Sequence, residues 1–228
     1  MPLILNIETS TRICSVALSE SGKIIGLKEL GGEYTHAENL TLFIEEVMKQ
    51  GGRRFKDLDA VAVGKGPGSY TGLRIGVSAA KGLCYATDKP LIAIATLKAL
   101  FRACPQNFPA DALYCPMLDA RRMEVYTSVF DASGNELEPV QAKIVDENSF
   151  LEQLEKGKLV FFGDGADKCR AVISHSNALF VPEIFPSAAC MAPLSEKAWS
   201  EKKFEDVAYF EPFYLKDFVA GKKANPAI

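Results

Sequence analysis

The chain has 228 residues, 48% hydrophobic and 24% charged, which suits one large domain or two small ones and excludes a disordered or fibrous protein. No run approaches the roughly 20 apolar residues that span a bilayer, so no membrane partner is expected. A formal net charge of −3 offers no strong electrostatic handle on nucleic acid, so any RNA served by this chain is expected to be gripped by a partner and touched only indirectly.

Leu3 to Ile7 form an apolar run that ends in Glu8-Thr9-Ser10-Thr11. With no basic segment before it, this start reads as a strand rather than a signal peptide. Val16 and Leu18 alternate with small residues, Ser21-Gly22 makes a turn, and Ile24 to Leu30 follow, which predicts three antiparallel strands. Thr35 and Glu38 then form a capping box, and Leu40, Phe43, Ile44, Val47 and Met48 recur at helical spacing until Gly51-Gly52. His36 shares that apolar face, and Leu42 lies on the opposite one. Leu58 to Val63 read as a buried strand running into Gly64-Lys65-Gly66-Pro67-Gly68-Ser69-Tyr70-Thr71-Gly72, followed by a helix to about Ala86. A strand at Leu91 to Ala95 and a helix at Thr96 to Ala103 complete an α/β layer on a mixed sheet.

Cys104 to Pro109 look like a boundary, after which the opening pattern returns. Tyr114 to Leu118 lead to Asp119 as Leu3 to Ile7 lead to Glu8, Ser133-Gly134 repeats Ser21-Gly22, and Leu159 to Phe162 run into Gly163-Asp164-Gly165. This predicts a duplicated α/β fold: an N-terminal lobe over residues 1–103, a C-terminal lobe over 104–220 and a frayed tail over 221–228. A helix is expected from Leu194 to Lys202.

Four glycines within positions 64 to 72, between a strand and a helix, suit either a nucleotide or anion loop or a tight turn. The candidate residues are Gly66, Gly68, Ser69, Thr71 and Gly72, with Glu8 and Asp119 as acids placed to hold a metal–phosphate or simply to solvate strand ends. Gly72, Gly76 and Ala80 form a small-residue stripe that fits a partner helix or internal packing. The two histidines, His36 and His175, form no H-x-x-x-H pair, because the fourth residue after His36 is Leu40. No metal or catalytic residue is assigned. The six cysteines include no C-x-x-C pair and are expected to be free thiols in a cytoplasmic protein.

Gly66-Pro67-Gly68-Ser69-Tyr70-Thr71-Gly72-Leu73-Arg74-Ile75-Gly76 resembles the signature of the TsaB, or YeaZ, family of bacterial tRNA threonylcarbamoyladenosine biosynthesis. Ile7-Glu8-Thr9-Ser10, His36, Asp119 to Tyr126 and Tyr214-Leu215 agree with it, and Lys216 departs from the family's usual arginine. The resemblance implies the actin/Hsp70/sugar-kinase fold and kinship with the TsaD/Kae1/Gcp proteins, which hold a metal through the histidine pair that is broken here. It implies a non-catalytic subunit that pairs with a TsaD-like catalytic protein through the first two helices and works with a TsaE-like ATPase. The pair would move a threonylcarbamoyl group from its adenylate to N6 of the adenosine 3′ of the anticodon in tRNAs reading ANN codons. The expected partner face comprises His36, Leu40, Leu42, Phe43, Gly72, Ile75, Gly76, Ala79 and Ala80. Without the partner the same face would form a homodimer, and ATP or ADP would sit, if anywhere, at the complex interface. The alternative is an ATP-dependent small-molecule kinase of the same fold. The turn after Glu8, which lacks glycine, and the Ala-Arg-Arg after Asp119 speak against it.

Overall fold

The structure is a computed structural model that describes residues 2–32 and 35–216, with the side chain of Thr35 left out of the description. The capping box at Thr35 and the tail over 221–228 therefore lie outside the described residues.

Two five-stranded sheets form the frame. The first holds β1 (Leu3–Glu8), β2 (Ile13–Glu20), β3 (Lys23–Gly31), β4 (Ala60–Gly66) and β5 (Leu91–Ala95) in the order β3-β2-β1-β4-β5. The second holds β6 (Leu113–Asp119), β7 (Glu124–Phe130), β8 (Glu136–Ile144), β9 (Leu159–Phe162) and β10 (Ala178–Val181), running β8-β7-β6-β9-β10. In each, the first three strands pair antiparallel and the fourth and fifth join in parallel. The strand orders superimpose element for element, so the duplication expected from the sequence is present, with Glu8 and Asp119 at equivalent strand ends.

β1 and β4 are almost wholly buried because both faces of the first sheet are covered, which is why they read as continuous apolar runs. One face packs on α1 (Thr35–Gln50) and α2 (Tyr70–Thr87), through Leu5, Ile7, Val16, Leu40, Phe43, Val47 and Val77. The other packs on α6 (Ala188–Ser200), with Met191 set among Ile4, Ala60, Ala62, Ile92 and Ile94. The second sheet is covered by α4 (Leu151–Lys156) and α5 (Ala166–Cys169) on one face and by α3 (Thr96–Ala103) on the other.

The halves exchange their last helices. Leu97, Leu100 and Phe101 of α3 pack with Tyr114, Leu118, Phe130 and Phe162 of the second sheet. In return α6 joins the first: Ser195 Oγ donates to Asn6 Oδ1 at 2.7 Å and the Ala188 N–H donates to Ser15 Oγ at 2.8 Å. The segment after α6 also runs back over the first lobe, where Glu205 N donates to Leu91 O at 2.9 Å and Phe213 N to Lys65 O at 2.7 Å. Packing therefore crosses the boundary between residues 103 and 104: α3 lies on the second sheet, while α6 and the segment through Phe213 lie on the first. α6 also starts six residues earlier than expected. Ser187 Oγ accepts from Ala189 N at 3.1 Å, and this cap opens a helix that carries Pro193 inside it.

All six cysteines are free, and five are buried. Burial pushes the Cys104 and Cys115 thiols up to about 12 and those of Cys14, Cys84 and Cys169 up to about 11, so these five are inert packing residues. Among the described residues no helix is long and apolar enough to cross a membrane, and no three His, Cys, Asp or Glu side chains gather as a metal site.

Candidate partner interface and the glycine loop

The loop between β4 and α2 closes on the turn that follows β1. A Cβ on Gly68 would lie 2.4 Å from Ser10 O, one on Gly72 2.1 Å from Thr9 O, and one on Gly76 2.2 Å from Thr9 Oγ1. Separations this short exclude any side chain. Hydrogen bonds complete the closure: Ser69 N donates to Ser10 O at 2.7 Å, and Thr9 Oγ1 donates to Gly72 O at 2.8 Å. Ser69 Oγ accepts from Gly72 N at 3.2 Å and so caps α2. At Gly66, φ is 105°, and an added Cβ would meet Phe213 O at 2.8 Å. The glycines therefore admit the chain's own backbone. Of the two readings of this loop, the contacts of Gly66, Gly68, Ser69 and Gly72 are those of a tight turn, and Thr71 stays exposed on the first turn of α2.

Glu8 is also used internally. Its side chain is fully buried, and a Cβ on Gly64 would lie 2.4 Å from Glu8 Oε2, so only glycine makes room for it. Oε1 accepts from Ser10 N at 2.7 Å, while Oε2 has no hydrogen-bond partner. Burial pushes the carboxyl above the ordinary carboxylate range and favours its neutral form. The Glu8 carboxyl is thus engaged inside the lobe rather than presented at its surface.

Asp119, at the matching strand end, faces the other way. It is half-exposed, accepts from Arg121 N at 2.9 Å and is ion-paired with Lys168. Asp164 Oδ1 accepts the Asp119 N–H at 3.0 Å, and burial raises the Asp164 carboxyl. The cation that balances Asp119 is thus the protein's own.

The expected partner face divides in two. His36, Leu40, Phe43, Gly72, Gly76 and Ala80 are buried inside the first lobe. His36 Nε2 donates to Thr11 O at 2.7 Å, tying α1 to the same turn, so its role is internal. The stripe Gly72, Gly76, Ala80 packs on Thr9 and the core, which corrects its placement on an outer surface. What remains outside is Leu42, 59% exposed, with the half-buried Ile75 and Ala79. The sequence reading missed Tyr85, 87% exposed, and Gly82, where a Cβ would meet nothing within 4 Å. Helical phase is the available signal for Gly82, which falls opposite buried Val77 and Cys84, while Tyr85 sits at the flank of that buried face. At the start of α2, Arg74 lies 4.3 Å over the Tyr70 ring and donates to Tyr214 Oη at 3.3 Å, holding the C-terminal strap against the loop.

Two sheets with one strand order, joined by exchanged helices and carrying acids at equivalent strand ends, define a duplicated protein of the actin/Hsp70/sugar-kinase-like class. A Pseudomonas aeruginosa structure described as similar to peptidase YEAZ has the same fold, with a TM-score of 0.83 at 24% identity, covering 95% of this chain and 100% of that one. The TsaB tRNA threonylcarbamoyladenosine biosynthesis protein of Escherichia coli strain K12 is 31% identical over 96% of this chain and 97% of its own length. That of Bacillus subtilis strain 168 is 34% identical over 93% of each. The chain belongs to the TsaB family of tRNA threonylcarbamoyladenosine biosynthesis proteins. The family described as TsaD, tRNA N6-adenosine threonylcarbamoyltransferase, also matches, over residues 32–223.

Proposed function

We propose that this chain is a non-catalytic activating subunit that docks on a TsaD-like transferase through the outer face of α1 and α2. One observation carries the reading. The acid and glycines that a phosphoryl-transfer site of this fold would need are consumed by internal packing, while Leu42 and Tyr85 stand exposed on neighbouring helices. Exposed large side chains beside small ones (Ala79, Gly82) suit a helix-to-helix contact. The complex transfers threonylcarbamoyl to N6 of the adenosine 3′ of the anticodon, with a TsaE-like ATPase as further partner. Nucleotide, where the reaction needs it, is held by the partners or at their joint surface. Alone, the chain pairs with its own copy through the same face.

Reconstitution tests this. The chain alone is expected to modify no tRNA, and the transferase is expected to modify it only when the two are mixed. Full activity of the transferase without this chain, or threonylcarbamoyl transfer by this chain alone, contradicts the proposal.

A further inference from the structure

On the α3–α6 side of the first sheet, a recess of about 440 Å³ opens beside the edge strand β5. It is bounded by α3, the last turns of α6 and the β7–β8 turn at Ser133–Asn135. Its charge is unlike that of the chain as a whole. Lys65, Lys98, Arg102, Lys197 and Lys203 line it against a single carboxylate, Glu201, in a protein of net charge −3. Glu201 is already engaged, 2.7 Å from Lys203 and 3.9 Å from Lys197. Lys65, Lys98 and Arg102 form no ion pair among the described residues.

Lys98 and Arg102 are four residues apart on α3, so they share one face of the helix and repel each other. Lys65 comes to the same recess from the end of β4 and Lys197 from α6. Cations drawn from three elements without counter-charges are unfavourable in the free chain and are offset when a polyanion arrives. A second recess, about 300 Å³, has Glu29 and Glu183 in its lining. The β5–α3–α6 recess therefore gathers positive charge that the net charge of the chain does not show.

We propose that the β5–α3–α6 recess binds the sugar-phosphate backbone of the substrate tRNA. In the working complex this chain then adds phosphate contacts of its own to those of the transferase. The inference rests on the reading above, and it replaces the expectation that RNA is touched only through partners. Net charge conceals the recess because its cations are outnumbered elsewhere on the surface.

The test compares two charge-matched variants of the full chain. One carries Lys65→Gln, Lys98→Gln and Arg102→Gln; the control carries Lys143→Gln, Lys156→Gln and Lys158→Gln on the second lobe. Each is mixed with the transferase, and tRNA affinity is measured from about 50 mM salt upward. Each lost phosphate contact removes about 0.7–0.9 from the slope of log affinity against log salt. The recess variant is expected to lower that slope by about 2 and to weaken binding more than about a hundredfold at the lowest salt, with the control near wild type. Equal behaviour of the two variants overturns the proposal. If the triple variant does not fold by circular dichroism, Lys98→Gln and Arg102→Gln are measured singly, and an unchanged slope in both overturns it. ATP serves as the small-phosphate probe. Micromolar ATP binding that the recess variant abolishes, with tRNA affinity intact, assigns the site to a free nucleotide and also overturns it. If the wild-type chain does not associate with the transferase, the proposed function falls. The recess is then judged on the full chain alone at about 50 mM salt, where the same difference between variants supports it and its absence overturns it.

Discussion

The turns after β1 and β6 hold the same place in the two lobes and do opposite things. After β1, Glu8 is buried over Gly64, and Thr9 and Ser10 are clamped by Gly68, Gly72 and Gly76. After β6, Asp119 stays at the surface, paired with Lys168, while Gly163 and Gly165 admit the backbone of Met117 and Leu118 instead. Both turns use glycine to let two backbones meet. Only the first also swallows its acid. A duplicated topology therefore fixes where the strand-end carboxylates stand but not their chemistry. The neighbouring side chains decide that: Gly64 makes room to bury Glu8, and Lys168 pairs with Asp119 at the surface.

The strongest way to break this comparison is to crowd the first turn. Gly72→Ala puts a carbon 2.1 Å from the Thr9 carbonyl oxygen, and backbone on both sides leaves little room to yield. We expect a loss of about 3 kcal/mol or more in urea denaturation, or no folded product. Gly76→Leu is expected to cost about 1–3 kcal/mol or more, because the stripe packs inward. A folded Gly76→Leu chain with an unchanged melting temperature would restore the stripe to the surface.

A pH series sharpens the same contrast. The folded-state pKa of Glu8 is raised, so the unfolded chain releases this proton first as pH increases. Its contribution to stability therefore falls from the ordinary carboxylate pKa upward, through the raised one. Glu8→Gln retains an acceptor for Ser10 N and removes this penalty. The variant is expected to match wild type near pH 4 and to gain stability over it as pH rises toward 8. Parallel stability curves for the two proteins would contradict a buried, neutral Glu8. The smallest effect belongs to the second lobe. Lys168→Ala unpairs a half-exposed Asp119, where such pairs contribute at most about 1 kcal/mol. Its thermal shift should lie well below that of Gly72→Ala.

Much of the frame was legible in the residues. Apolar runs ending in Glu8 and Asp119, the Ser-Gly turns and the two Gly-x-Gly sites marked both sheets and their duplication. Helical periodicity showed that Leu40 and Phe43 share a face with Ile44 and Val47, which makes them core; the resemblance had placed them on the partner face. Periodicity also put Gly72, Gly76 and Ala80 on one face of α2, but it carries no information on which way that face turns. The exchange of α3 and α6 is a long-range packing event with no local mark, and Pro193 concealed the start of α6. The basic recess was invisible for a similar reason. Its cations lie between positions 65 and 203 with no charge run among them, and only the fold brings them together.

The central claim, that the exposed side of α1 and α2 is the working surface, is tested most directly by charging it. Leu42 and Tyr85 are solvent-facing, so Leu42→Glu with Tyr85→Glu should leave the folded monomer and its melting temperature unchanged once any loss of self-association is allowed for. Titrated against the transferase, the double variant is expected to weaken association at least a hundredfold and to lose stimulation of tRNA modification in proportion. Wild-type affinity and wild-type stimulation from that folded variant would contradict the account.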